Sequence, residues 1–205
     1  MKKRVAGIQR KTKEVSIRGQ LNLDGTGRSS VKTGIRFLDH MLELLAKHGL
    51  FDLKVEAKGD LDVDLHHTNE DLGLALGEAF HKALGEKKGV RRMGSAFVPM
   101  DESLAHVRAV VDLSGRPHLT WDWNAKIRQG RLSRPAGSYG LSDAKHFLES
   151  FVAESRITVH VDVLKAGEDL HHILESVFKA LGRALRQAVE ADPRVKGIPS
   201  TKGKL

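Results

Sequence analysis

An α+β fold of two fused, similar halves is what this sequence predicts, on three observations. First, its apolar periodicities run strand, strand, helix, strand, helix, and then pass through that order again. Second, the pentad His-His-x-x-Glu occurs twice, as His66-His67-Thr68-Asn69-Glu70 and as His171-His172-Ile173-Leu174-Glu175, each at the start of a helical pattern. Third, each pentad follows another histidine at nearly the same interval: His40 stands 26 residues before His66, and His146 stands 25 before His171. The halves are expected over residues 1–93 and 94–205, each a ββαβα unit with its helices on one face of a mostly antiparallel sheet. Two copies of so long a repeat exclude a solenoid.

The elements follow in order. Residues 5–12 and 14–23 read as strands, the second alternating through Val15, Ile17, Leu21 and Leu23, and the turn-rich Asn22–Gly27 ends the pair. Residues 37–47 carry apolar side chains at 37, 38, 41, 42, 44 and 45, a helical stripe, and 51–57 alternate as a strand. A longer helix over 67–84 follows from Leu72, Ala75, Leu76, Ala79, Phe80, Ala83 and Leu84. In the second half, 104–113 and 118–125 read as strands around the tight Ser114-Gly115-Arg116-Pro117. A helix over 143–154, a strand over 156–164 and a helix from about His172 to Val189 complete the repeat. The one long loop is Lys126–Ser142, rich in Arg, Gly and Ser; a loop of this length is usually functional or disordered.

Composition narrows the function. With 34 Lys and Arg against 26 Asp and Glu, the chain carries +8. That balance suits nucleic acid, an acidic substrate or a well-solvated surface. The cations are spread along the chain and aromatics make up only 5%, too few for base-stacking platforms, so a phosphorylated small molecule is the simpler partner. Without cysteine there is neither a disulfide framework nor thiolate chemistry. No apolar run approaches the roughly 20 residues of a membrane span. The basic N-terminus lacks a signal peptide's apolar stretch, so a soluble cytoplasmic protein is expected.

The paired motifs point to metal. At about 100° per residue, a Glu four positions after a His lies on the same helix face, one turn along, so His66 can converge with Glu70 and His171 with Glu175. The second histidine of each pair points about 100° away and is free to serve another ion, held by the other copy or by a neighbouring subunit. Imidazole with carboxylate suits Zn, Mn, Fe, Co or Ni, and the lack of thiolate argues against a structural zinc knot. Doubled histidines can also simply open a helix in solvent, with Glu favouring its dipole; two copies in matched frames argue against that.

Further stretches extend the pattern: Phe37-Leu38-Asp39-His40-Met41-Leu42, Pro99-Met100-Asp101-Glu102, Asp112-Leu113-Ser114-Gly115-Arg116-Pro117, His146-Phe147 and Pro199-Ser200-Thr201-Lys202-Gly203. With the two pentads, and in this order over essentially the whole chain, they resemble the imidazoleglycerol-phosphate dehydratases of histidine biosynthesis. The resemblance implies a helical layer between two four-stranded sheets, two Mn²⁺ per active site, and trimers assembled into a 24-subunit cage with active sites between subunits. It implies metal ligands at His40, His66, His67, Glu70, His146, His171, His172 and Glu175, and an acid/base at Glu14. A phosphate clamp is implied at Arg92, Arg116, Lys179, Ser200 and Lys202. Leu44 stands where the family often has Gln, and the stretch between Trp121 and His146 is longer than the family's.

The chemistry implied has need of such residues. The proton to be removed sits on a carbon bearing a hydroxyl and is not acidic. Metal ions on the imidazole nitrogens would favour the imidazolate, which can expel the adjacent hydroxide to leave a diazafulvene. A carboxylate then takes the neighbouring proton, giving an enol that becomes the ketone. Arg and Lys are the usual holders of phosphate. A binuclear metallohydrolase would use similar ligands but usually wants bridging carboxylates, and a basic nucleic-acid-binding protein would show salt-dependent binding without turnover.

Overall fold

Alternation and helical periodicity translate into twelve elements among the described residues. The structure, a computed structural model, describes residues 3–101, 103–123, 139–164 and 169–205, with 103–107 and 123 as backbone alone. The first half runs β1 (Val5–Lys11), β2 (Val15–Asn22), β3 (Ser29–Lys32), α1 (Arg36–Gly49), β4 (Asp52–Gly59) and α2 (His66–Leu84). The second runs β5 (Met93–Met100), β6 (Ser103–Asp112), β7 (His118–Trp123), α3 (Leu141–Ser155), β8 (Thr158–Val163) and α4 (Leu170–Val189). Most of the predicted loop lies outside the described residues, and its last two positions belong to α3.

Each half forms one four-stranded sheet, in the orders β1-β2-β4-β3 and β5-β6-β8-β7. All pairings are antiparallel except β3 with β4 and β7 with β8. Inward side chains meet across the ladders, Leu21 opposite Leu53 in one sheet and Val111 opposite Val159 in the other. Each half therefore has one strand more than the periodicity marks. In β3 only Val31 of four residues is buried, too little to alternate. In β5 the inward residues are the small Gly94, Ala96 and Val98, while the large Met93 and Phe97 face outward, so the apolar signal is inverted.

The helices fill the space between the sheets. α2 covers β1 and β2, α4 covers β5 and β6, and the helices then pair across the halves, α1 with α4 and α2 with α3. Phenylalanines join the layers: Phe80 of α2 meets Phe151 of α3 at 5.7 Å between ring centroids, and Phe147 meets Phe178 of α4 at 6.1 Å. α2 and α3 approach so closely at Gly73 and Gly77 that a Cβ at either would collide with the α3 backbone. This exchange of helix partners brings histidines from one half to the pentad of the other. Among the described residues no helix is long and apolar enough to cross a membrane.

Candidate metal centre and active site

Because α1 packs on α4, His40 meets the second pentad rather than the one it precedes. Its Nε2 lies 2.7 Å from Glu175 Oε1, and His171 Nε2 lies 3.2 Å from the same oxygen. The ligand atoms of His40, His171 and Glu175 all lie within 4.8 Å of one another. Asp169 caps α4 by accepting the His171 amide at 2.8 Å, and Phe37 receives the His171 ring edge-on at 5.2 Å between centroids. Glu175 is buried, its side chain 9% exposed. That burial alone would raise its carboxyl, but hydrogen bonds from Lys179 (2.6 Å) and His40 overcome the effect and hold it at about 2. The group is thus an anion ready to serve a cation at neutral pH.

Packing of α2 on α3 does the same for the first pentad. His66 Nε2 and His146 Nε2 approach the two oxygens of Glu70 at 3.8 and 4.0 Å, and the two imidazoles stack at 4.5 Å. These three also form a group within 4.8 Å. Asp64 accepts the His66 amide at 2.7 Å, mirroring Asp169. Between the groups runs a chain of contacts: Phe37 packs on Tyr139, and the Tyr139 hydroxyl donates to Asn69 Oδ1 at 3.0 Å. Asn69, fully buried, donates to Asp143 O on α3 at 2.9 Å. Oxygen and imidazole donors in threes, leaving open positions, fit a divalent transition metal.

The second histidine of each pentad lies outside both groups, with its ring 6.0 Å from its neighbour's in each case. His67 Nδ1 faces Asp60 Oδ2 at 2.9 Å and Glu14 Oε2 at 3.9 Å. The hydrogen bond with Asp60 raises the imidazole above its ordinary value, and the Glu14 charge adds to it. A proton held on Nδ1 leaves Nε2 as the atom for a metal. Asp60 was not legible as a partner, because the pairing depends on the bend between β4 and α2.

Asp71, next to Glu70 in the chain, is open from sequence to two roles, an acceptor for a ligand imidazole or an ordinary helix-start Asp. Helical rotation turns it to β1, where it accepts from Arg10 Nε at 2.6 Å and Thr12 Oγ1 at 3.3 Å. Among the other histidines, His118 and His160 lie on the outer face of the second sheet with ring centroids 5.7 Å apart, in neither three-ligand group.

The five residues of the implied phosphate clamp fall in two places. Lys179 belongs to the Glu175 group and also reaches Met100 Sδ at 3.1 Å. The other four gather near the far end of α4. Arg92 binds Asp112 through Nε and Nη2 at 2.7 and 3.1 Å, and holds the tail through Pro199 O at 2.9 Å. Its amide donates to Ala188 O, and its carbonyl accepts the Leu113 amide just before the Arg116 turn. In that turn Gly115, at φ 74°, lies against Leu205, where a side chain would collide. Arg116 is exposed, and Ser200 and Lys202 share a turn in which the Lys202 amide donates to Ser200 Oγ at 3.2 Å. Glu175 and Ala188 are separated by about 20 Å of helix at about 1.5 Å per residue.

Comparison with known proteins gives one answer. The family model for imidazoleglycerol-phosphate dehydratase matches residues 33–185. An imidazoleglycerol-phosphate dehydratase of Clostridium botulinum (strain Langeland / NCTC 10281 / Type F) is 50% identical over 205 residues, covering 100% of both chains. One of Kineococcus radiotolerans is 54% identical over 202 residues, 98% of this chain and 99% of that one. The crystal structure of the Staphylococcus aureus subsp. aureus N315 dehydratase matches at a TM-score of 0.76 and 34% identity, over 92% of this chain and 99% of that one. The Pyrococcus furiosus structure in complex with (S)-C348 matches at 0.77 and 34%, over 96% and 99%.

Proposed function

Since the chain belongs to the imidazoleglycerol-phosphate dehydratase family, hydro-lyases of histidine biosynthesis, we propose that it dehydrates imidazole glycerol phosphate to imidazole acetol phosphate at a site holding two Mn²⁺. The observation that carries the metal dependence is the pair of three-ligand groups, each drawing on both halves of the chain. His40, His171 and Glu175 would hold one ion, and His66, Glu70 and His146 the other. His67 and His172, turned away from these groups, would complete the ligand sets of a neighbouring chain. The ions would supply Lewis acidity to the two imidazole nitrogens of the substrate.

The remaining work falls to side chains. Glu14, half-exposed and beside His67, takes the proton from the carbon next to the departing hydroxyl. Lys179, Arg92, Arg116, Ser200 and Lys202 hold the phosphate while the ring is fixed. The separation of Lys179 from the other four, which lie nearer the far end of α4, supports a site assembled from more than one chain. Trimers built into a 24-mer, working in the cytoplasm, are the assembly proposed, with halves dividing at residues 93 and 94.

The test is turnover of imidazole glycerol phosphate by chelated protein, with and without added Mn²⁺. Activity that returns in step with bound metal is the expected result, and equal turnover by metal-free protein would contradict the proposal.

A further inference from the structure

The hairpin that carries Glu14 is braced to the helix that carries the first pentad. Thr12 Oγ1 accepts the amides of Glu14 and Val15 at 3.2 and 2.9 Å, closing the turn between β1 and β2. Its proton faces Asp71 Oδ2 at 3.3 Å, with Val15 O at 3.4 Å. Asp71 is buried on α2 and spends its other oxygen on Arg10, in a 2.6 Å ion pair. Asp71 directly follows Glu70 and lies one turn after His67. One short path of charge-assisted and hydroxyl contacts therefore fixes the Glu14 backbone relative to His66, His67 and Glu70.

We propose that Thr12, Asp71 and Arg10 form a positioning brace that sets the distance between the acid/base carboxylate and the metal-binding histidines. The inference rests on the proposed role of Glu14. None of the three residues reaches the reacting atoms. Their effect passes through the turn, and catalysis is sensitive to such placement because a shift of about 1 Å far from the chemistry can cost roughly a hundredfold in rate. Thr12 lies on an exposed turn, so its hydroxyl can be removed with little effect on the core.

Thr12→Val keeps the shape of the side chain and removes the acceptor, while Thr12→Ser keeps the hydroxyl. In the fully assembled, Mn²⁺-loaded enzyme, Thr12→Val should lower kcat by roughly ten- to a hundredfold at unchanged KM and unchanged metal content. Thr12→Ser should restore most of the loss, and Asp71→Asn should resemble Thr12→Val. Glu14→Gln is measured alongside. In the Glu14→Gln background, Thr12→Val should add little, because a misplaced base and an absent base fail at the same step. If Glu14→Gln is inactive while Thr12→Val turns over normally, the brace is overturned and the Glu14 reading survives. A Thr12→Ser variant as slow as Thr12→Val, or a Thr12→Val variant that loses metal, also overturns it. Normal kcat in Glu14→Gln overturns the reading on which the brace depends.

Discussion

Glu175→Gln should remove one of the two proposed ions and leave the other in place. Gln keeps the size of the side chain and deletes the single carboxylate that His40 and His171 share, whereas Glu70 serves its own group on another helix pair. Metal analysis of the reloaded variant should therefore find about half the parent's content. The same change has a size in metal-free protein. The carboxyl at about 2 lies well below its usual 4.5, and burial, which alone would raise it, is overcome by Lys179 and His40. At about 1.4 kcal/mol per pH unit, that gap is worth about 3 kcal/mol of stability at neutral pH. Because the folded value is depressed, this stability is fully present above about pH 4.5 and fades as the pH falls through about 2. Urea unfolding of chelated parent and variant should show a difference of about 3 kcal/mol at pH 7 that shrinks as the pH drops from 4.5 toward 2. Full parental metal content in the variant would show that Glu175 holds neither ion, and a stability difference indifferent to pH would show that its charge does not stabilise the fold.

Glu14→Gln should keep its metal and its KM while losing most of kcat, as steady-state kinetics with metal analysis will show. Arg116→Ala and Lys202→Ala should each raise KM by roughly ten- to a hundredfold, the value of about 1.5–3 kcal/mol for one charge-assisted contact; an analogue lacking phosphate should bind both variants as it binds the parent. Gly77→Ala should lose about 1 kcal/mol net in urea unfolding even though Ala is the better helix former, because its Cβ would meet the α3 backbone. Chelation should reduce the particle size seen by light scattering, and an unchanged size in fully demetallated protein would remove the metal from the assembly account.

What the sequence makes legible is what repeats with a short period. The two pentads set His66 with Glu70 and His171 with Glu175 through helix geometry alone, and the structure groups them so. All four predicted helices are present, each longer at one or both ends. The partners of His40 and His146 were not legible, because they come from α1 packing on α4 and α3 on α2, contacts between residues far apart in the chain. Asp60 and Asn69 act through bends and helix crossings that no periodicity encodes. β5 hid because its inward residues are small and its large apolar ones face out. The partner of Asp71 was not legible either, since adjacency to Glu70 in sequence means rotation by about 100° on the helix, away from the ligands and toward Thr12.

If the paired histidine groups hold the ions on which dehydration depends, activity must follow metal content in a titration. Chelated protein is reloaded with Mn²⁺ in steps, with bound metal and imidazole glycerol phosphate turnover measured on the same samples. Turnover should be nil at zero metal and full as content reaches two ions per chain. Turnover that is complete without metal, or absent when both groups are filled, would contradict that dependence.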